Sequence, residues 1–211
     1  MRVIREFLIT LLIAVIIFIG LQISIKSFEV FNVSMLPTYT EGDLIIVNKL
    51  AYAFGGRPQV GDEVVFYAPG NGPKPAFDPF FMQHPNCFIK RVIGTPGDRV
   101  EVKNHKVYVN GTALDEHYIN EPPQYTVFEE TIPAGQYFVL GDNRNHSNDS
   151  ASGRYLVPKD DIIGKVWFRY WTAGMGDIRI IMIPVFVIIV GVLLAVVIAD
   201  MIKSNKSGTG A

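Results

Sequence analysis

Two long uncharged apolar runs constrain this chain of 211 residues more than any other feature. The first run covers residues 7–25 and the second covers residues 180–199. At about 1.5 Å per helical residue, each run reaches about 30 Å, which is the thickness of the hydrocarbon core of a bilayer. A buried core helix normally keeps a polar stripe, and these runs have almost none, so we predict two transmembrane helices.

The first run is predicted to be an uncleaved anchor rather than a signal peptide. It is long for the apolar part of a signal peptide, and residues 26–31 after it lack the pair of small residues typical of a cleavage site. Two spans place both termini on one side of the membrane. This side is predicted to be cytoplasmic because basic residues lie near both termini, namely Arg2, Arg5, Lys203 and Lys206.

The predicted organisation has five parts. They are a cytoplasmic N-terminus (1–6), a membrane helix (7–25), an extracytoplasmic domain (26–179), a second membrane helix (180–199) and a cytoplasmic tail (200–211). The middle segment is long enough for one hydrophobic core. Within it, prolines and glycines concentrated at residues 69–85 predict a surface flap. The net charge of −1 gives the chain no electrostatic reason to bind nucleic acid.

Turn signals in the middle segment indicate a mostly β domain. Gly-Asp pairs that begin at Gly42, Gly61 and Gly97 directly precede apolar or alternating runs. Gly accepts a positive φ and Asp bonds its own backbone, so each pair predicts a turn that leads into a strand. Asn110-Gly111 predicts a hairpin, and no segment shows a sustained helical period. The predicted strands are residues 44–47, 63–67, 88–94, 99–102, 106–109, 136–140 and 164–170.

Two polar residues in apolar surroundings are candidates for nucleophilic chemistry. Residues 30–33 (VFNV) predict a further apolar strand. Ser34 closes this strand at a Pro-containing turn, which predicts a presented rather than a buried hydroxyl. It lies only nine residues past the first apolar run, so it must be within about 30 Å of the membrane surface. Lys90 would share a strand face with Phe88 and Val92, and burial there would lower the pKa of its amine. A neutral lysine can act as a general base toward a hydroxyl.

Each candidate also has an ordinary structural explanation. Ser34 could be a turn residue, and Lys90 could lie at a sheet rim with its amine in water. A Ser-His-Asp triad with a distant histidine stays open, although no G-x-S-x-G motif surrounds Ser34. His84 and Cys87 lack a second ligand pair, so we predict no metal site and a structural role for Cys87. Residues 141–150 are dense in short polar side chains, which suits either a solvated loop or a loop that orients a catalytic pair.

A resemblance to a known family rests on segments in a fixed order. These segments are residues 34–38 (SMLPT), 61–66 (GDEVVF), 88–98 (FIKRVIGTPGD) and 141–144 (GDNR), followed by Ser147, Asp149 and Ser150. Together they resemble the bacterial type I signal peptidases over nearly the whole middle segment and the first anchor. The resemblance implies a membrane-anchored β catalytic domain and a serine endopeptidase with a Ser–Lys dyad that needs no cofactor.

The resemblance also implies roles for individual residues. Ser34 would be the nucleophile, Lys90 the general base, and Ser147 the residue that orients the Lys90 amine. The oxyanion would be held by the Ser34 backbone N–H and the Asn32 side chain, at a position where many relatives have serine. The rate should then rise as Lys90 loses its proton, with a midpoint well below the ordinary lysine value of about 10.4.

The same resemblance implies roles for loop and pocket residues. Asp142 and Arg144 would fix the loop that contains Ser147. Ala151 stands where many family members have arginine, and Arg154 is a candidate to replace that arginine. The side chains expected to line substrate pockets are Phe31, Met35, Tyr39, Phe88 and Ile89.

The implied substrate is a secretory preprotein with small residues one and three positions before the scissile bond. Cleavage would occur on the extracytoplasmic face of the cell membrane, and the lipid bilayer would be the second partner. Two alternatives stay open. One is a Ser–Lys processing peptidase with a single narrow substrate, and the other is a membrane scaffold without catalytic activity in which Ser34 is idle.

Overall fold

The structure is a computed structural model and describes residues 2–70 and 86–171. Helix α1 spans Arg2–Ser24, and strand β1 (Ile25–Glu29) follows it directly. Among the described residues, no helix combines the length and the hydropathy that a membrane span requires. The second predicted span lies outside the described residues, as does most of the predicted flap.

The remaining elements confirm the mostly β prediction. They are β2 (Leu44–Asn48), β3 (Glu63–Tyr67), β4 (Cys87–Gly94), β5 (Arg99–Lys103), β6 (Lys106–Val109), β7 (Thr112–Ala113), β8 (Val127–Thr131), β9 (Gln136–Leu140), β10 (Val157–Pro158), a 3₁₀ turn (Lys159–Asp161) and β11 (Ile162–Trp171). Seven of the predicted strands are present, with ends within two residues of the prediction, but the predicted strand over residues 30–33 is not. Strands β1, β7, β8 and β10 were not predicted, because they are too short or too polar to show a clear alternation.

The turn predictions are also confirmed. Gly42, Gly61 and Gly97 have φ angles of 88°, 93° and 92°, and each precedes a strand. Asn110 and Gly111 have φ angles of 53° and 78° and join β6 to β7, which is the backbone geometry of a type I′ hairpin.

The strands form two antiparallel sheets within residues 22–171, and residues 2–21 belong to a separate unit. The larger sheet has the order β1-β2-β11-β3-β4-β9-β10, and the smaller sheet has the order β7-β6-β5-β8. Strand β4 pairs with β3 on one side and with β9 on the other. The register places Val64 opposite Lys90 and Leu140 opposite Arg91, so the loop that follows β9 begins beside the strand that carries Lys90.

Apolar side chains from both sheets fill the core. The first cluster contains Phe28, Val30, Met35, Tyr39, Ile45, Val47, Val65, Ile89 and Val166. The second cluster contains Ile93, Val100, Val102, Val107, Ile132, Phe138 and Leu140, and it joins the two sheets. Each fully buried large aliphatic or Phe side chain stabilises the fold by about 1.5–3 kcal/mol relative to exposure.

Candidate active site

Ser34 lies in a turn rather than at the end of a strand. Strand β1 ends five residues before it, and residues 32–38 form the turn. Met35 is fully buried and anchors the turn in the first core cluster. The loop after β9 covers the turn, since the Asn143 backbone N–H donates to the Ser34 carbonyl at 3.0 Å. Ser34 is therefore only 5 % exposed, and the prediction of a presented hydroxyl is wrong.

Lys90 lies in the middle of β4 with a side chain that is almost completely buried. Its Nζ lies 2.7 Å from Ser34 Oγ and also donates to the Ile89 carbonyl at 2.9 Å. Burial lowers the pKa of Lys90 to about 8, because desolvation disfavours the ammonium, while the carboxylates of Asp149 and Asp142 act in the opposite direction. A substantial fraction of the amine is therefore neutral close to physiological pH.

Asn32 makes the other hydrogen bonds of Ser34. Its Oδ1 accepts from the Ser34 hydroxyl at 2.6 Å and from the Ser34 backbone N–H at 3.1 Å. The structure thus brings the two groups predicted to hold an oxyanion into contact with each other. The carboxamide presents its oxygen, rather than its NH₂ group, to Ser34.

Ser147 lies close to the same turn but does not make the predicted hydrogen bond to Lys90. Its Oγ is buried and has no hydrogen-bond partner among the described residues. Gly141 permits the close approach, since a Cβ at this position would lie 2.3 Å from Ser147 Oγ and 2.4 Å from the Ser34 carbonyl oxygen. A side chain at position 141 would therefore push the loop away from the turn.

A buried ion pair attaches the loop after β9 to β4. Arg91 Nε and Nη2 donate to the two carboxylate oxygens of Asp142 at 2.9 and 2.6 Å. Asp142 also accepts from the Thr38 hydroxyl, which connects the pair to the turn that contains Ser34. Glu63 accepts from Arg91 Nη2 at 2.8 Å, and the Tyr118 ring centroid lies 4.1 Å from the guanidinium carbon.

Sequence reasoning missed three members of this network, namely Arg91, Glu63 and Tyr118. Strand alternation placed Arg91 on the face opposite Lys90, and this suggested no polar partner for it. The available signal was the pairing of β3 with β4, which sets Glu63 opposite Arg91. Tyr118 comes from a loop and carries no such signal.

The remaining predicted loop residues have different positions. Arg144 is buried, and it donates to the Gly141 carbonyl at 3.0 Å and to Glu116 at 2.8 Å. Asp149 accepts from the Gly141 backbone N–H at 2.9 Å and from two backbone N–H groups that follow it. Arg154 is exposed and lines a surface cavity beside β8.

A small cavity of about 70 Å³ opens beside Asn32. Its lining residues are Phe28, Glu29, Val30, Phe31, Asn32, Ile45, Val65, Cys87, Phe88 and Ile89. Three of the five predicted substrate contacts, Phe31, Phe88 and Ile89, are therefore at this cavity. Met35 and Tyr39 do not line this cavity, because both side chains pack in the first core cluster.

The described residues do not form a Ser-His-Asp triad around Ser34 or a metal site. Ser34 Oγ bonds to Asn32 and Lys90 and to no histidine of the described chain, and His84 lies outside that part. Burial raises the pKa of the Cys87 thiol to about 11. Across residues 2–70 and 86–171, no group of three or more His, Cys, Asp or Glu side chains is placed to hold a metal ion.

Comparison with known proteins decides the family. Residues 2–171 match the family model described as signal peptidase, peptidase S26. The chain belongs to the signal peptidase family S26. The resemblance inferred from the ordered segments is thereby confirmed.

Individual relatives of this S26 family member are also similar over much of their length. A probable signal peptidase I-1 of Synechocystis sp. is 47 % identical over 141 residues, which cover 67 % of this chain and 68 % of the relative. A signal peptidase I of Leptolyngbya laminosa is 42 % identical over 149 residues, which cover 69 % and 68 %. The crystal structure of a signal peptidase I from Enterococcus faecalis shares 32 % identity and covers 53 % of this chain and 97 % of its own, with a TM-score of 0.41.

Proposed function

We propose that this chain removes N-terminal signal peptides from secretory preproteins, with Ser34 as the nucleophile and Lys90 as the general base. Membership of the signal peptidase family supports the reaction class. The observation that carries the assignment of residues is the 2.7 Å distance between the Ser34 hydroxyl and the buried Lys90 amine. Nucleophile and base are thus within direct hydrogen-bond reach, as this chemistry requires.

In the acylation step, Ser34 Oγ attacks the scissile carbonyl carbon while the lone pair of Lys90 Nζ takes the hydroxyl proton. The carbonyl π electrons move to the oxygen, and the tetrahedral intermediate collapses when Lys90 returns the proton to the leaving amine. Water then hydrolyses the acyl-enzyme with Lys90 again as the base. With a pKa of about 8, about one Lys90 amine in ten is neutral at pH 7.

Oxyanion stabilisation is assigned to the Ser34 backbone N–H and to Asn32. The N–H donates to Asn32 Oδ1 at 3.1 Å, so an oxyanion that takes over this N–H lies beside the Asn32 carboxamide. Asn32 contributes a donor once its Nδ2 faces the oxyanion. Ser147 is assigned to the Lys90 ammonium that forms during turnover, because its buried Oγ has no other partner among the described residues.

The proposed substrate preference follows from the size of the cavity. About 70 Å³ with mainly apolar walls fits a small side chain and excludes a large one. This supports small residues near the scissile bond of the preprotein.

The proposed location rests on the two uncharged runs, 7–25 and 180–199. We assign them to two anchors that hold the catalytic domain on the extracytoplasmic face of the cell membrane. A nucleophile tethered there meets the scissile bond as the signal peptide leaves the bilayer, which favours reaction by proximity.

The test is cleavage of several unrelated preproteins by the full chain in detergent. Ser34→Ala and Lys90→Ala should each lower kcat/KM by about 10³-fold or more, because the two residues act as one unit. The wild-type rate should rise with pH through a midpoint near 8, as Lys90 loses its proton. Near-normal turnover by Lys90→Ala would contradict the dyad.

Lys26 offers a matched control for Lys90. It lies in β1, is equally buried, and burial lowers its pKa to about 8 as well. Lys26→Met should retain cleavage, because the proposed chemistry needs a base beside Ser34 and not merely a desolvated lysine. Cleavage of one preprotein among many would favour a narrow processing peptidase, and cleavage of none would favour a scaffold.

A further inference from the structure

We propose that Asn32 is a positioning residue that holds the Ser34 hydroxyl proton away from Lys90 until a substrate carbonyl takes its place. The inference concerns the resting state of the proposed dyad and rests on that proposal. It assigns Asn32 a second task, performed before any oxyanion exists.

The Ser34 hydroxyl can donate to only one of its neighbours. Ser34 Oγ carries one hydrogen and has two close neighbours, Asn32 Oδ1 at 2.6 Å and Lys90 Nζ at 2.7 Å. The amide oxygen can only accept, and two oxygens at this distance require a proton between them. The hydroxyl therefore donates to Asn32, and Lys90 is the donor in its own bond to Ser34.

The hydrogen-bond partners of Asn32 determine which end of its carboxamide faces Ser34. Amide oxygen and nitrogen are assigned from their hydrogen-bond partners. The Ser34 backbone N–H points at the same atom at 3.1 Å, and an NH₂ group there would place two donors face to face. Only the oxygen satisfies both donors of Ser34.

The lone pair of Lys90 is directed away from the Ser34 hydroxyl. Nζ donates to Ser34 Oγ and to the Ile89 carbonyl. A neutral amine has two hydrogens, so both are used and the lone pair does not face the hydroxyl. In this arrangement Lys90 cannot receive the Ser34 proton, even when the amine is uncharged.

A substrate reverses the arrangement because it competes for the same position. Asn32 Oδ1 accepts a hydrogen bond from the Ser34 N–H. The scissile carbonyl oxygen must accept from the same N–H. Once the substrate oxygen displaces it, the hydroxyl loses its acceptor and turns to Lys90. Asn32 is exposed and lines the cavity, so after these bonds break its side chain has room to rotate and present Nδ2 to the developing oxyanion. The substrate thereby activates its own nucleophile.

The resting arrangement can be measured through the titration of Lys90 in the full chain. While Ser34 accepts from Lys90, the protonated amine is favoured; when Ser34 donates to Lys90, the neutral amine is favoured. Asn32→Ala should therefore lower the titration midpoint of Lys90 by about 0.5–1 pH unit. The charged groups that face Lys90 are Asp142, which is paired with Arg91, and Asp149, and the substitution changes none of them.

The measurement is a ¹³C NMR titration of lysine labelled at Cε, in detergent micelles and without substrate. The Lys90 signal is assigned by its absence in Lys90→Met. Asn143→Ala is the matched control, because Asn143 Nδ2 bonds to the Val33 carbonyl of the same turn at 3.0 Å but does not touch the hydroxyl. Asn143→Ala should leave the midpoint unchanged, and Asn32→Ser, whose hydroxyl can accept, should restore the wild-type value.

The inference is overturned if Asn32→Ala titrates like the wild type, or if Asn143→Ala shifts the midpoint equally. Preprotein cleavage is read separately, so the two proposals fail in different ways. Absence of cleavage by the wild type contradicts the proposed function, whereas the titration still decides the resting state. In the cleavage assay, Asn32→Ala should lower kcat by about 10–10³-fold and move the pH midpoint of kcat/KM with the NMR midpoint. A role limited to the oxyanion would lower kcat alone.

Discussion

The larger sheet buries charged side chains, whereas the smaller sheet does not. The buried Lys26, Asp62, Lys90 and Arg91 lie in the larger sheet or in the turns that lead into it. None of the charged residues in the strands of the smaller sheet, β5 to β8, is buried. The smaller sheet instead contributes valines to the second core cluster. The proposed chemistry therefore lies in the larger sheet, whereas the smaller sheet contributes only to the apolar core.

The buried charges of the larger sheet differ in how they are compensated. Most charges in the larger sheet are compensated by a partner of opposite sign, as Asp142 is by Arg91 and Asp62 is by Lys165. Lys90 differs, because it hydrogen-bonds to a hydroxyl and a carbonyl and to no carboxylate of the described chain. An uncompensated buried amine costs stability but provides a base with a lowered pKa.

The largest expected effect comes from breaking a compensated pair. Asp142→Ala leaves the Arg91 guanidinium buried without its main partner, so the free energy of unfolding should fall by about 3–5 kcal/mol. The loss also releases the loop that holds the Ser34 turn, so kcat/KM should fall by about 10²-fold. Denaturant unfolding and preprotein cleavage measure the two effects.

A double variant tells the two effects of Asp142→Ala apart. Arg91→Met with Asp142→Leu removes both charges and should recover most of the stability while the rate stays low. If the double variant also recovered the rate, the ion pair would have no positioning role.

A substitution in the second core cluster should have a smaller effect, and only on stability. Ile132→Ala removes a buried side chain near the smaller sheet and should cost about 2–4 kcal/mol. Below its unfolding temperature the variant should cleave within about twofold of the wild-type kcat/KM, because no proposed site residue contacts position 132. A tenfold loss of rate in the folded variant would show that the second core cluster also supports the active site.

The smallest expected effect is a gain in stability. Lys90→Met removes the cost of desolvating the amine and should stabilise the fold at pH 7 by about 1–3 kcal/mol. The folded pKa of about 8 lies below the ordinary 10.5, so the unfolded chain binds the proton more tightly. The gain should be full below pH 8 and disappear as the pH rises towards 10.5. A gain that did not vary with pH would show that packing, and not charge, was responsible.

Local pattern was enough to predict most of the strands and turns, and the reason is visible in particular elements. The Gly-Asp pairs and Asn110-Gly111 determine backbone geometry within a few residues of themselves. The same pattern failed next to Ser34. Residues 30–33 form no strand there, and Met35 packs in the core. Whether the turn is buried depends on which distant segment covers it.

The sequence by itself determined the β architecture, the uncharged runs and the two residues, Ser34 and Lys90, on which the proposed chemistry depends. These properties follow from side-chain type and short spacing. Only the tertiary structure decided that Ser34 is buried, that its hydroxyl faces Asn32, and that Arg91 pairs with Asp142. Those contacts join residues 51 or 56 positions apart, or depend on a turn held by such contacts, so they exist only after the strands have paired.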